Sequence, residues 1–301
     1  MSLYFLNQLH LEAVVDSHIL PAFGGLCLVS IPLACAFCYY MIFYPEAFVM
    51  NLPAHVTSPF KHFTIYTFRA IRYNYSTFLG SGIVVGMLFM FGYYNKYVTV
   101  LFLIVGFIIF CNTFAYPLIL SIISIQRFKN NGRSEQFLFK WTEDKVVGLM
   151  LGIGFLVIVK ELALWVWLGI VFFDYVPEQA YYFQRLNTVF VVHSAIYTGQ
   201  QIILVIAMIV EHNIRTLPIG HAECLVAKQT KYLGIVKLPF LVVFVICWFV
   251  NFNLHPFVVY CVFFGIDFFL IPVIIEVTEV NSKPNIVGPI ATQMYPTGAW
   301  P

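Results

Sequence analysis

YVTVLFLIVGFIIFCNTFAYPLILSII, residues 97–123, is the stretch that decides the fold of this chain, because it contains no Asp, Glu, Lys or Arg. An α-helix needs about 20 predominantly apolar residues to cross the hydrocarbon core of a bilayer, and this stretch is longer than that. The strands of a membrane β-barrel alternate apolar and polar residues instead. The stretch therefore predicts a membrane-spanning helix.

The rest of the chain repeats this pattern. Of the 301 residues, 61% are hydrophobic and only 10% are charged, whereas soluble domains are about 45–50% apolar and about 25% charged. This composition excludes a soluble globular enzyme, a disordered chain and a nucleic-acid-binding protein. We therefore predict an all-α membrane protein, a seven-transmembrane helix bundle in the lipid bilayer, with spans at about 19–43, 76–93, 97–123, 146–173, 186–210, 232–252 and 256–275.

The basic residues predict how the helices are oriented, since short cytoplasmic loops carry an excess of Lys and Arg. With the N-terminus outside and the C-terminus cytoplasmic, the inner side receives thirteen of the sixteen basic residues: Lys61, Arg69, Arg72, Arg127, Lys129, Arg133, Lys140, Lys145, Arg215, Lys228, Lys231, Lys237 and Lys283. We expect an extracellular N-terminus at 1–18, one helical domain at 19–275 and a short disordered cytoplasmic tail at 276–301.

Enzyme signatures are absent from the sequence. It contains no HExxH, no G-x-S-x-G and no P-loop, which are the motifs of zinc proteases, serine hydrolases and nucleotide-binding enzymes. His193 has no further residue at metal-ligand spacing. We expect a protein that is not an enzyme, with no cofactor and no metal site.

Three ionisable residues lie inside the predicted spans. Placing an ionisable side chain inside a bilayer is energetically unfavourable, so these residues are candidates for a functional role. Lys160 and Glu161 are adjacent and point about 100° apart around a helix, so we expect that they cannot simply face each other. Lys160 then reaches the interface, pairs with a neighbouring helix or lines a polar cavity. Asp267, midway along the seventh span, forms a hydrogen bond to a neighbouring helix or holds an ion.

Polar side chains on several spans are candidates for a ligand site. On the fifth span, four polar residues share one face at i, i+4, i+7 and i+8 spacing, and helix–helix hydrogen bonding is the other interpretation of that face. The third and sixth spans add two polar or aromatic residues each. Together they are expected to surround a small-molecule pocket with apolar walls: Asn112, Tyr116, His193, Tyr197, Gln200, Gln201, Trp248 and Asn251.

Short motifs in three spans resemble the nematode serpentine chemoreceptors, in particular class Z, across about residues 19–285. The residues that carry the resemblance are Leu118-Ile119-Leu120 through Ile125-Gln126-Arg127-Phe128, Ile158-Val159-Lys160-Glu161, and Asp267 with Ile271-Pro272-Val273-Ile274-Ile275. In seven-helix receptors, an arginine at the inner end of the third helix contacts the G protein. Arg127 occupies that place, although Gln126-Arg127-Phe128 replaces the acidic-Arg-aromatic triplet of rhodopsin-like receptors. An interfacial anchor is the other interpretation of Arg127.

The resemblance implies a sensory receptor in the plasma membrane, including that of a sensory cilium. It would bind a small environmental molecule and signal through a heterotrimeric G protein, with Arg127 and Asp267 in coupling or switching. The alternative is a multi-pass transporter or proton-coupled carrier that uses Lys160, Glu161 and Asp267. The odd number of spans counts against it, since many carriers are built from repeated halves. A channel subunit is a third hypothesis.

Overall fold

The computed structural model describes residue 24 and residues 28–44, 59–93, 96–130, 141–173, 179–214, 221–249 and 256–281. These residues form seven helices, so the prediction of an all-helical chain is confirmed. The helices are α1 (Leu28–Phe43), α2 (Lys61–Met90), α3 (Lys96–Asn130), α4 (Glu143–Phe173), α5 (Gln179–Asn213), α6 (His221–Phe249) and α7 (Pro256–Val280).

Three of these helices contain segments that are long and apolar enough to cross a membrane. The segments are Lys96–Lys129 in α3, Glu143–Ile170 in α4 and Val191–Asn213 in α5. The predicted helix at 97–123 is therefore present, with polar turns added at its C-terminal end. α7 carries three acidic residues, Asp267, Glu276 and Glu279.

The central helix is α3, which packs against α2, α4, α5, α6 and α7. Helix directions alternate along the chain. Lys61 and Glu143, at the first residues of α2 and α4, form an ion pair at 3.1 Å, whereas Arg127 and Glu211, near the last residues of α3 and α5, also pair with each other. Gly92 ends α2 with a φ of +73°, a conformation that glycine adopts without steric penalty, and a short connection leads into α3.

Large apolar side chains cover the outer surface of the bundle, while charged side chains lie inside it. On α4, Leu151 is 70% exposed and Phe155 is 66% exposed. In contrast, Glu161 on the same helix is fully buried. A water-soluble protein buries most of its large apolar residues and exposes most of its charged ones. The arrangement seen here suits a surface surrounded by hydrocarbon.

Most helices extend beyond the spans that hydropathy predicts, and α2 and α7 are examples. Lys61, Arg69 and Arg72, which we assigned to an inner segment before the second span, belong to α2. Residues 276–280, which we assigned to a disordered tail, continue α7 as a helix in which Glu276 is fully buried. Hydropathy did not predict these extensions because their residues are polar, although the helical turns pack against neighbouring helices. The predicted N-terminal segment 1–18 and the rest of the tail lie outside the described residues.

Candidate functional site

Arg127 and Glu211 form a buried ion pair where α3 and α5 end. The Nη1 atom of Arg127 donates to Oε1 of Glu211 at 2.5 Å, and the two side chains are 6% and 2% exposed. The second terminal nitrogen of Arg127 and the second oxygen of Glu211 have no hydrogen-bond partner among the described residues. The pair is therefore held by a single hydrogen bond, although a guanidinium and a carboxylate are able to form two.

Glu223, in the first turn of α6, adds a second carboxylate to this end of the bundle. Burial raises the pKa of Glu223, the nearby Arg127 opposes that rise, and the negative charge of Glu211 adds to it. Arg127 thus interacts electrostatically with two carboxylates, Glu211 on α5 and Glu223 on α6. The charges tie α3 to α5 and bring the start of α6 into the same electrostatic cluster, which we call the Arg127 cluster (Arg127, Glu211 and Glu223).

A second cluster of charges lies near the middle of α5, α6 and α7. The Nζ atom of Lys237 pairs with Oδ1 of Asp267, and the hydroxyl of Tyr197 donates to Oδ2 of the same carboxylate. All three side chains are at least 96% buried. A buried charge is tolerated when it is paired and hydrogen-bonded, and this triad has no net charge. Asp267 thus joins two neighbouring helices.

Lys237 is a candidate functional residue that sequence reasoning missed. We counted it among the cations of the inner face because it lies near the beginning of the sixth span. Instead it is 2% exposed and points into the bundle. The sequence contained one indication that Lys237 lies within the span, because the apolar run Leu238-Pro239-Phe240-Leu241-Val242-Val243 follows it directly. Its partner on α7 was not recognisable from local sequence.

Lys160 and Glu161 pair with each other, so the expectation that they cannot face each other is wrong. Their Cα–Cβ bonds diverge, but both side chains are long enough to turn towards α3. There the Nζ atom of Lys160 lies 3.4 Å from the centroid of the Phe114 ring, a cation–π contact. Glu161 is fully buried and Lys160 is partly buried. Together they form a polar contact between α4 and α3.

The candidate ligand residues are divided between two cavities. Asn112 and Tyr116 line a cavity of about 40 Å³ among α2, α3, α4 and α7. Tyr197 and Gln201 line a second, much smaller cavity of about 10 Å³ between α5 and α6. The larger cavity has mostly apolar walls, and the hydroxyl of Tyr116 donates to Oε1 of Gln229 at 2.7 Å.

The remaining candidates make helix contacts or lie outside the described side chains. Gln200 donates from Nε2 to the backbone carbonyl of Phe114 at 2.8 Å and thereby fastens α5 to α3. His193 packs its ring against Phe114, with centroids 5.9 Å apart. Trp248 belongs to α6 but its side chain is not among those described, and Asn251 lies outside the described residues.

A polar relay connects the large cavity to the end of α7. Tyr116 on α3 donates to Gln229 on α6, and Nε2 of Gln229 in turn donates to the hydroxyl of Thr278 on α7 at 3.1 Å. All three side chains are buried. A movement of α6 relative to α3 or α7 therefore has to break or exchange these hydrogen bonds.

Comparison with protein-family models, with curated proteins and with solved structures finds no match to this chain. The geometry itself therefore carries the functional argument. Within the described residues, no group of three or more His, Cys, Asp or Glu side chains is placed to hold a metal ion. The arrangement consists of buried, paired charges that hold helices together, beside two cavities.

Proposed function

We propose that the protein is a seven-transmembrane chemosensory receptor of the plasma membrane that binds a small molecule and signals through a heterotrimeric G protein. Its N-terminus would be outside and its C-terminus cytoplasmic. Three lines of support are the apolar outer surface, the resemblance to the class Z chemoreceptors and the charge distribution among the loops. In this orientation the Arg127 cluster lies at the cytoplasmic end of the bundle.

The single observation that carries the proposal is the Arg127–Glu211 pair. It holds the ends of α3 and α5 together with one hydrogen bond of 2.5 Å, beside the start of α6. Breaking it would expose a guanidinium and two carboxylates at the surface where a cytoplasmic partner docks. The closed and opened arrangements thus form a two-state element, and a ligand that prefers the opened one shifts the population towards it.

The test is basal signalling, because it needs no known ligand. Glu211→Gln removes the negative charge that holds Arg127 and keeps the size of the side chain. We expect it to raise ligand-independent nucleotide exchange severalfold on at least one G protein of a heterologous panel. Adding Arg127→Ala should return that signal to the background, because the freed guanidinium is the group proposed to contact the G protein.

The matched control is Arg69→Ala, which removes an exposed arginine from α2. It should leave basal signalling unchanged at equal surface expression. If Glu211→Gln leaves nucleotide exchange at the wild-type level across the whole panel, coupling through Arg127 is rejected. An increase that survives Arg127→Ala would also reject it.

A carrier is the second candidate, and the Lys237–Asp267–Tyr197 triad is the observation that favours it. A lysine and an aspartate that are both almost fully buried are able to exchange a proton when a substrate disturbs the pair, and intramembrane ionisable residues are common in proton relays. The two functions predict different results in liposomes. A carrier would move solute or protons across the bilayer and lose that flux with Asp267→Asn, whereas a receptor would show no flux.

A further inference from the structure

Gly234 on α6 lies where the backbone of α6 packs directly against a side chain of α5. A Cβ atom built on Gly234 would lie 2.5 Å from Cβ of Met208 and 2.8 Å from its Cγ. Carbon atoms that are not bonded to each other prefer a separation of about 3.5–4.0 Å. Any side chain at this position would therefore push the two helices apart by about 1 Å.

The glycines of α4 have no such requirement. At Gly148 and Gly152, a Cβ atom would lie more than 4 Å from every described atom outside its own stretch of helix. Gly234 is buried, whereas Gly152 is exposed. The absence of a side chain at Gly234 is thus specific to the packing of α5 on α6, and Gly152→Ala provides the matched control.

The contact between Gly234 and Met208 lies between the two charge clusters of the bundle. Along α5, Met208 comes one turn before Glu211. Along α6, Gly234 comes three residues before Lys237 and eleven residues after Glu223. Eleven residues make about three turns, so Gly234 and Glu223 lie on nearly the same face of α6. The spacing of α5 and α6 at Gly234 therefore bears on where Glu223 lies.

Lys237 anchors α6 beside this contact, because its ion pair with Asp267 joins α6 to α7. Glu223 is fourteen residues from that anchor, and Gly234 is only three. If α6 turns about Lys237 as a straight rod, its start moves about four to five times as far as Gly234 does, since each residue adds the same rise. A displacement of about 1 Å at Gly234 thus moves Glu223 by about 4–5 Å. That movement takes it away from α5 and from Arg127, and the attraction between opposite charges weakens with distance.

We propose that Gly234 is a positioning residue: by letting Met208 pack against the backbone of α6, it holds Glu223 close to Arg127. The inference rests on the proposed function for its effect on signalling, since it states how the Arg127 cluster is kept closed. It also predicts a change in the attraction between Arg127 and Glu223 that is measurable without a G protein. The two proposals therefore fail separately.

The first measurement is a double-mutant cycle of Arg127→Ala and Glu223→Gln on the full chain, by SDS unfolding in mixed micelles. The two changes should be coupled in the wild type, because each removes one partner of the same attraction. In a Gly234→Ala background we expect the coupling energy to fall to less than half. Adding Met208→Gly, which removes the whole side chain, should restore it. Gly152→Ala should leave the coupling at its wild-type value.

The second measurement is ligand-independent nucleotide exchange. Gly234→Ala should raise it severalfold on a G protein that Glu211→Gln activates, and Met208→Gly should reverse the rise. In a Glu223→Gln background Gly234→Ala should add nothing, because the attraction that it weakens is already absent. Met208→Ile, which branches at Cβ beside Gly234, should act in the same direction and takes the place of Gly234→Ala if that variant does not fold.

The outcomes separate the positioning role from the proposed function. Absence of Arg127–Glu223 coupling in the wild type, or unchanged coupling in both Gly234→Ala and Met208→Ile, would overturn the positioning role. So would a loss of coupling in Gly152→Ala, or a failure of Met208→Gly to restore it. If the coupling changes as expected but neither Gly234→Ala nor Glu211→Gln raises nucleotide exchange, the positioning role stands and the proposed function is rejected.

Discussion

Two arginine–glutamate pairs in this protein use the same residue types and are built differently. Arg72 on α2 holds Glu276 on α7 through two hydrogen bonds of 2.7 Å each, one from Nε and one from Nη2, and Nη2 also donates to the carbonyl of Tyr44 at 3.1 Å. Arg127 holds Glu211 through one hydrogen bond. The first pair is bidentate and the second is not.

This difference suggests two roles: a clamp, which we define as a pair that holds helices together, for Arg72–Glu276, and a switch, a pair able to open, for Arg127–Glu211. The guanidinium of Arg72 lies 4.4 Å from the centroid of the Phe68 ring and joins the end of α1 to α2 and α7, so its geometry is over-determined. The Arg127 pair leaves one nitrogen and one oxygen without a partner among the described residues, and thus loses less when it opens. The proposed receptor would need both kinds of contact: one that holds helices in place and one that lets them separate.

Replacing each of the two arginines by alanine should give the largest change in unfolding free energy, and so tests this comparison first. Arg72→Ala leaves Glu276, which is fully buried, without its partner, and breaking a buried pair in this way costs about 3–5 kcal/mol. Arg127→Ala also leaves a buried carboxylate without its partner, but it removes one hydrogen bond to that carboxylate instead of two, so its loss should be smaller by about 2 kcal/mol. The measurement is unfolding by SDS in mixed micelles.

Arg69→Ala is the reference variant for both truncations, since its side chain is exposed on the same helix as Arg72. Its unfolding free energy should stay close to that of the wild type. Equal losses for Arg72→Ala and Arg127→Ala would show that the bidentate geometry adds no stability, and the distinction between clamp and switch would be wrong.

Replacing each arginine by lysine gives a smaller and more specific effect. Lysine keeps the positive charge but cannot form the planar two-pronged contact. Arg72→Lys should therefore lose about 2 kcal/mol, the contribution of a hydrogen bond to a charged group. Arg127→Lys, which has only one hydrogen bond to replace, should lose less than about 0.5 kcal/mol by the same reasoning.

The same unfolding assay measures both lysine variants, and circular dichroism establishes that each retains its helix content. The informative quantity is the difference between the two losses. If Arg127→Lys is the more damaging variant, then the Arg127 pair makes further contacts that require a guanidinium, and its description as a single-bonded switch is incorrect.

The sequence predicted the part of the fold that hydropathy controls. The uncharged stretch 97–123 placed α3 correctly, and α3 is the helix against which five others pack. Hydropathy does not register polar turns that pack on other helices. For this reason Arg72 and Glu276 were assigned to an inner segment and a tail, although together they form a bidentate ion pair between α2 and α7.

Contacts between distant parts of the chain limited the prediction of the site. Asp267 was recognisable as an intramembrane carboxylate, but its partner Lys237 is thirty residues earlier and was counted with the inner cations. The face of α5 that carries Tyr197, Gln200 and Gln201 was predicted as one surface. Which member faces a cleft and which one bonds to α3 depends on helix packing, and single-sequence patterns do not contain that information.

A comparably small effect is expected from a neutral contact one turn from Arg127. Ser124 on α3 donates to the hydroxyl of Thr230 on α6 at 3.2 Å, and both side chains are fully buried. Interhelical hydrogen bonds in membrane proteins contribute about 0.6 kcal/mol on average, and Thr230 keeps its own bond to the carbonyl of Val226. Ser124→Ala should therefore lose about 0.6 kcal/mol, and in a double-mutant cycle with Thr230→Val the coupling energy should be of the same size.

Ser121 provides the matched comparison, because it is equally buried on the same helix but donates within α3, to the carbonyl of Pro117 at 2.7 Å. Ser121→Ala should show no coupling with Thr230→Val, since no hydrogen bond joins the two residues. Coupling of the same size for Ser121 would mean that these variants loosen α3 as a whole. In that case general packing, and not the Ser124–Thr230 hydrogen bond, would keep α6 against α3 beside the Arg127 pair. Opening of the Arg127 pair would then not depend on that hydrogen bond.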